Sequence, residues 1–227
     1  MLRSRALLGL VAPGLVALGL AAAGCGGGSS SGKPGATGSD CSKVAPTPSG
    51  TPQQYSSEPP LCIDPTTYTA TIVTNQGTVV ASLDGKNAPH TVNSFKFLAD
   101  HHYFDKSPCH RLTTRGIFVL QCGDPTGQGT GGPGYTIPDE NLSGATYPAG
   151  TLAMANTGQP HTGGSQFFIC YAATPLPPSY TPFGKVTSGL DVLLTIAKNG
   201  EDDANGAGDG HPKQPVVIQT FTVTKAS

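Results

Sequence analysis

Residues 151–171, Thr-Leu-Ala-Met-Ala-Asn-Thr-Gly-Gln-Pro-His-Thr-Gly-Gly-Ser-Gln-Phe-Phe-Ile-Cys-Tyr, leave the chain little choice but a pair of β-strands. Residues 152–155 are a short apolar run, 156–164 are turn formers, and 166–171 are rich in aromatic side chains. Side chains alternate along a strand. Gln166 and Phe168 therefore share one face, while Phe167 and Ile169 share the other. One face can present an amide beside a ring while the opposite face fills a core.

The rest of the chain agrees with a β-rich domain. It has 31 Gly and 21 Pro in 227 residues and no Trp, which favours turns over long helices. Residues 68–74 and 78–83 alternate around Asn75-Gln76-Gly77, a hairpin signal. Pro89 stands at a helix start followed by an apolar stripe of Val92, Phe95 and Leu98. At its end His101-His102 can satisfy terminal carbonyls. A second helix is expected over 190–198, burying Leu190, Leu193, Leu194 and Ala197, and a last strand over 216–223. Residues 200–212, acidic and Gly-rich, read as a solvated loop without calcium-loop spacing.

The N-terminus has a different character. Arg3 and Arg5 precede an apolar run over 6–23, then Ala22-Ala23-Gly24-Cys25, the anatomy of a secretory signal. The Cys after small residues resembles the bacterial lipobox, so residues 1–24 are expected to be a signal peptide and Cys25 to be lipidated. That implies an extracytoplasmic protein lipid-anchored to the cell membrane. Residues 25–65 have almost no aliphatic side chains and are expected to be a flexible tether, with the folded domain over 66–227. Export allows disulfides, and Cys41 and Cys62 are a possible pair. A Cys109–Cys122 pair is not expected, because alternation puts Cys109 on the face of Arg111 and Cys122 opposite Gln121. No cysteine spacing suits zinc, and no metal or other cofactor is expected. With a net charge of −1 and no basic cluster, a nucleic-acid partner is not expected either, and a monomer is.

Two segments carry a family resemblance. Met154-Ala155-Asn156 followed by Gly164-Ser165-Gln166-Phe167-Phe168, together with Cys109-His110-Arg111-Leu112 and Phe118-Val119-Leu120-Gln121-Cys122-Gly123-Asp124, resembles the signature of the cyclophilins, which are peptidyl-prolyl cis-trans isomerases. The resemblance spans about residues 68–224. It implies a mainly β fold: a closed antiparallel β-barrel capped by two α-helices. It also implies an isomerase that accelerates X-Pro isomerisation in exported proteins, with proline-containing segments as its partners. The alternative is a module that binds proline peptides with little turnover.

By the resemblance, Arg111 and Gln121 are the catalytic residues. Substrate would meet Phe118, Val119, Ala155, Asn156, Gln166, Phe168, Leu176 and Tyr180. Leu176 stands where many relatives have Trp, and Tyr180 where they have His or Tyr. The chemistry explains an Arg. Prolyl rotation must overcome a barrier of ~18–20 kcal/mol set by amide resonance. No bond breaks, so neither nucleophile nor metal is required. A fixed guanidinium can donate to the proline nitrogen as it gains a lone pair, favouring the twisted amide over the planar one.

Overall fold

The computed structural model describes residues 45–227. The expected signal segment, the Cys25 lipidation site and Cys41 lie outside the described residues, so the possible Cys41–Cys62 pair does too. Among the described residues no helix is long and apolar enough to cross a membrane.

The chain runs β1 (Thr67–Thr74), β2 (Gly77–Asp84), α1 (Pro89–Asp100), β3 (Ser107–Pro108), β4 (Arg111–Thr113), β5 (Val119–Cys122), β6 (Thr151–Met154), β7 (Phe167–Cys170), β8 (Pro182–Ser188), α2 (Leu190–Asn199), β9 (Asp209–Gly210) and β10 (Val217–Lys225). The strands form one ten-stranded sheet in the order β3-β10-β1-β2-β8-β6-β7-β5-β4-β9, antiparallel at each step. The sheet curls strongly, but its hydrogen-bond ladder ends at β3 and β9. Pro108 has no N–H to extend the ladder. Cys109 N–H is donated to the Val216 carbonyl. Two residues later the same chain re-enters the far end of the sheet as β4.

Alternation fills the interior. Tyr68, Ala70 and Ile72 of β1, Val79, Ala81 and Leu83 of β2, and Phe221 and Val223 of β10 are all buried, and a register shift in β10 brings Ile218 inward as well. Helix α1 lays Val92, Phe95 and Leu98 on them. Phe95 sits among the rings of Phe104, Phe167, Phe183 and Phe221, at centroid distances of 5.3, 5.5, 4.7 and 6.0 Å. His101 closes the helix as expected, its Nδ1 2.8 Å from the Phe97 carbonyl.

The start of α1 has no side-chain cap of its own. Glu140, fifty residues away, supplies one. Its carboxylate accepts from His90 N–H and Thr91 N–H, both at 2.9 Å, and from the Thr91 hydroxyl at 2.8 Å. Glu140→Ala should therefore cost about 1–2 kcal/mol, the typical value of a lost helix cap. A lower urea midpoint at unchanged slope would register it.

Two expectations are corrected here. Helix α2 buries Leu193 and Ile196, whereas Leu194 is 49% exposed. Val192 docks against Gly77, where a Cβ would lie 2.8 Å from its Cγ2, and this turns the helix so that Ile196 replaces Leu194. The tether does not run free to residue 65. Residues 49–63 form a strap against the domain. Tyr55 is buried, its ring 4.9 Å from that of Phe97, and its N–H is donated to the Pro133 carbonyl at 2.8 Å. Buried Asn93 grips the strap further along, donating to the Pro60 carbonyl and accepting from Cys62 N–H. One aromatic anchor and a few backbone bonds hold a segment whose average composition reads as disordered.

Candidate active site

The short strands β4 to β7 align four residues in a row across the sheet. Arg111 pairs with Gln121, Gln121 with Phe168, and Phe168 with Ala153. The neighbouring row, Leu112, Leu120, Ile169 and Leu152, is buried in the main core. Alternation thus separates a chemical face from a core face. Beneath the chemical face lies a second, smaller apolar cluster of Val119, Tyr147, Ala153, Phe168 and Cys170, on which Ile117, Ala155, Leu176 and Tyr180 pack. Burial pushes the Cys170 thiol up to about 11, although Thr174 opposes this, so the group stays protonated in the floor.

A directional hydrogen-bond chain crosses the face. Arg111 donates from Nε and Nη2 to the two carboxylate oxygens of Asp209, at 2.8 and 2.6 Å. Its Nη1 donates to Gln121 Oε1 at 3.3 Å. Gln121 Nε2 donates to Gln166 Oε1 at 2.9 Å, and Gln166 Nε2 donates to the carbonyls of Gly129 and Gly131, both at 2.9 Å. Each amide is oriented by its neighbour. The fork on Asp209 keeps Arg111 charged, because donation to that carboxylate raises its pKa further. The same bonds hold the Asp209 carboxyl below the usual carboxylate range, although burial opposes them.

Beside the guanidinium is a pocket of about 130 Å³, lined among others by Val119, Phe168, Leu176 and Tyr180. Such a pocket has an apolar wall and a cation at one end. Tyr180 is set in place by buried Tyr147, whose hydroxyl donates to the Tyr180 carbonyl at 2.8 Å and accepts its N–H at 3.0 Å. Nothing in the sequence pattern singled out Tyr147.

Of the sequence-derived site residues, Arg111, Gln121, Val119, Ala155, Asn156, Phe168, Leu176 and Tyr180 line this pocket. Gln166 stands behind Gln121 and lines the adjoining cavity. Phe118 is the exception. It packs against the main core, its ring 6.0 Å from that of Tyr171, and Ile117 takes the place at the pocket. Its pocket position was what the resemblance implied; alternation run back from β5 groups Phe118 with Leu120 on the core face, as observed. Asn156 spends its side chain on structure, donating to the Ser179 carbonyl at 2.7 Å and accepting Gly158 N–H at 3.0 Å.

Four residues behave unlike the sequence reading. Cys109 and Cys122 form a disulfide. The contrary argument assumed that β4 runs back through Cys109, but Cys109 and His110 lie in the break between β3 and β4, where alternation does not apply. Asp209 belongs to the loop expected to be solvated, yet it is the partner of Arg111. Glu201 in the same loop is buried and accepts from the Thr114 hydroxyl. His110 is buried, and neither ring nitrogen has a hydrogen-bond partner among the described residues. Burial holds its pKa below the ordinary histidine value. No group of three His, Cys, Asp or Glu side chains among the described residues is placed to hold a metal ion.

Residues 69–223 match the family model of the cyclophilin type peptidyl-prolyl cis-trans isomerases. A probable peptidyl-prolyl cis-trans isomerase B of Mycobacterium leprae is 45% identical over 172 residues, covering 70% of this chain. The chain spans only 57% of that protein's length and 54% of the Mycobacterium tuberculosis counterpart, little more than half of each. A peptidyl-prolyl cis-trans isomerase A of Mycobacterium tuberculosis is 38% identical over 177 residues, covering 70% of this chain and 93% of that one. Among solved structures, a cyclophilin type isomerase of Cryptosporidium parvum superposes with a TM-score of 0.62 at 28% identity, covering 71% of this chain and 99% of its own. The same Cryptosporidium protein was also solved in the presence of the dipeptide Ala-Pro.

Proposed function

The chain belongs to the cyclophilin-type peptidyl-prolyl cis-trans isomerase family, and on that premise we propose that it catalyses rotation about X-Pro bonds in exported polypeptides. One observation carries the reading: a guanidinium held by three hydrogen bonds at the end of a small pocket with Val119, Phe168 and Leu176 as its apolar wall. A proline ring suits that pocket in size and can lie on its apolar wall. The Ala-Pro dipeptide used with the Cryptosporidium relative is a ligand of the same chemistry. With the ring seated, the remaining N–H groups of Arg111 can meet the proline nitrogen as it becomes pyramidal. Gln121, fixed from both sides, is poised to hold the substrate backbone. The curled sheet is read as a barrel closed through residues 107–113.

The test is exchange spectroscopy on a short blocked X-Pro peptide with purified protein. Faster cis-trans exchange supports the enzyme. Binding without faster exchange would instead establish the proline-peptide module.

For location, the signal anatomy and the lipobox-like Cys25 support a lipid-anchored, extracytoplasmic protein, with residues 25–48 as its tether. Two or more acyl chains suffice for stable anchoring where one is marginal. Cys25→Ala should then abolish incorporation of a fatty-acid analogue and shift the protein from the membrane to the soluble fraction. Equal labelling of the two proteins would rule the anchor out.

A further inference from the structure

The strap over residues 49–63 lies outside the family-matched residues 69–223, yet it reaches the substrate side of the molecule. A second cavity, of about 600 Å³, adjoins the Arg111 pocket and shares Gln121, Ala155 and Asn156 with it. Most of its wall is the Gly-rich loop over 129–134 and the turn around Gly164. Gln54, from the strap, completes it.

The strap is built onto that loop. Gln54 Nε2 donates to the Gly132 carbonyl at 2.8 Å, and Tyr55 N–H donates to the Pro133 carbonyl at 2.8 Å. At Gly134 (φ +91°) a Cβ would lie 2.6 Å from the Tyr55 carbonyl oxygen, so the two backbones touch where glycine alone fits. Ser49 and Gln54 exchange backbone hydrogen bonds at 2.8 Å, closing the hairpin that carries Gln54. The other Gln54 donor goes to the Gln53 carbonyl at 3.2 Å. Both amide hydrogens are thus spent, and Gln54 Oε1 accepts no hydrogen bond among the described residues.

No charged side chain lines this cavity. Among the side-chain groups that line it, the Gln54 amide oxygen and the hydroxyls of Thr130 and Thr136 have no hydrogen-bond partner among the described residues. An ionised side chain entering would lose water without gaining a counter-charge, and an apolar one would cover these polar groups without satisfying them. A neutral side chain that donates a hydrogen bond avoids both costs. The shared wall means that a residue only two or three positions from the proline can reach, since each extended residue spans ~3.3–3.6 Å.

We propose that Gln54 is a specificity-determining residue, selecting substrates that carry an uncharged hydrogen-bonding side chain, such as Gln or Asn, near the isomerising proline. This rests on the isomerase reading above.

The experiment uses the mature chain and blocked peptides that are identical except for Gln, Glu or Leu two or three positions from the proline on either side. A minimal X-Pro peptide too short to reach the cavity runs beside them. On one side of the proline, kcat/KM for the Gln peptide should exceed that for the Glu and Leu peptides by about threefold to tenfold, the worth of roughly one hydrogen bond. That ratio should collapse toward one in Gln54→Ala and in Gln54→Met, which keeps the length but not the acceptor. A wild type with no Gln preference on either side, or variants that keep it, would overturn the inference. If even the minimal peptide is not isomerised, it is the isomerase reading that fails.

Discussion

Arg111→Ala should lower kcat/KM for a short X-Pro peptide by roughly thirty- to a thousandfold, the worth of a charge-assisted donor at about 2–4 kcal/mol. The fold should persist, because Arg111 is half-buried on the chemical face and the core row beside it, Leu112 and Leu120, is untouched. Arg111→Lys should recover little. A lysine keeps the charge but cannot donate as a planar fork to both Asp209 oxygens and also reach Gln121. Parallel exchange measurements on the three proteins decide it, and an Ala variant as fast as wild type would remove Arg111 from the mechanism.

The same ion pair fixes the pH dependence. Donation from Arg111 keeps the Asp209 carboxyl below the usual carboxylate range. A carboxylate with a depressed folded pKa contributes stability that is complete above its unfolded pKa and is lost as pH falls through the folded value. Activity should therefore be level from neutral pH down to the ordinary carboxylate range, and fall only below it. Asp209→Asn cannot titrate, so an acid limb that survives in that variant belongs elsewhere. His110, whose buried ring also resists protonation, is the candidate.

How far residues could be read in advance depended on whether the chain is regular there. Phe168 fell on the expected face because β7 and its partners run unbroken through the row. The same alternation failed at Cys109, just outside a strand end, whereas Phe118 was expected at the pocket from the resemblance and sits on the core face it shares with Leu120. Leu194 was misplaced because a helical stripe defines a face only to within the docking angle, and Val192 against Gly77 sets that angle. Asp209 was invisible for another reason. It meets Arg111 across 98 residues of chain, and no local pattern encodes such a pair. Tyr55 was hidden by averaging, since a window poor in aliphatic residues gives no weight to a single buried ring.

The disulfide between Cys109 and Cys122 leads to the largest expected change in stability. Strands β4 and β5 are paired through only two rows, Arg111 with Gln121 and Leu112 with Leu120. The bridge closes a loop of sequence separation 13, which in the chain-entropy account stabilises the fold by about 3 kcal/mol. Both sulfurs are buried, so alanine is the right replacement; serine would add unpaired hydroxyls in the core. Cys109→Ala combined with Cys122→Ala should lower the unfolding free energy by about 2–4 kcal/mol. Catalysis should fall as well, because Cys122 follows Gln121 directly and Cys109 lies two residues before Arg111. Reducing agent should reproduce the loss in wild type but leave the double variant unchanged. Such a bridge persists in an oxidising compartment, in keeping with the proposed export. Urea unfolding of oxidised, reduced and alanine forms is the measurement. Three coincident curves would mean that the two strands hold their register without the bridge.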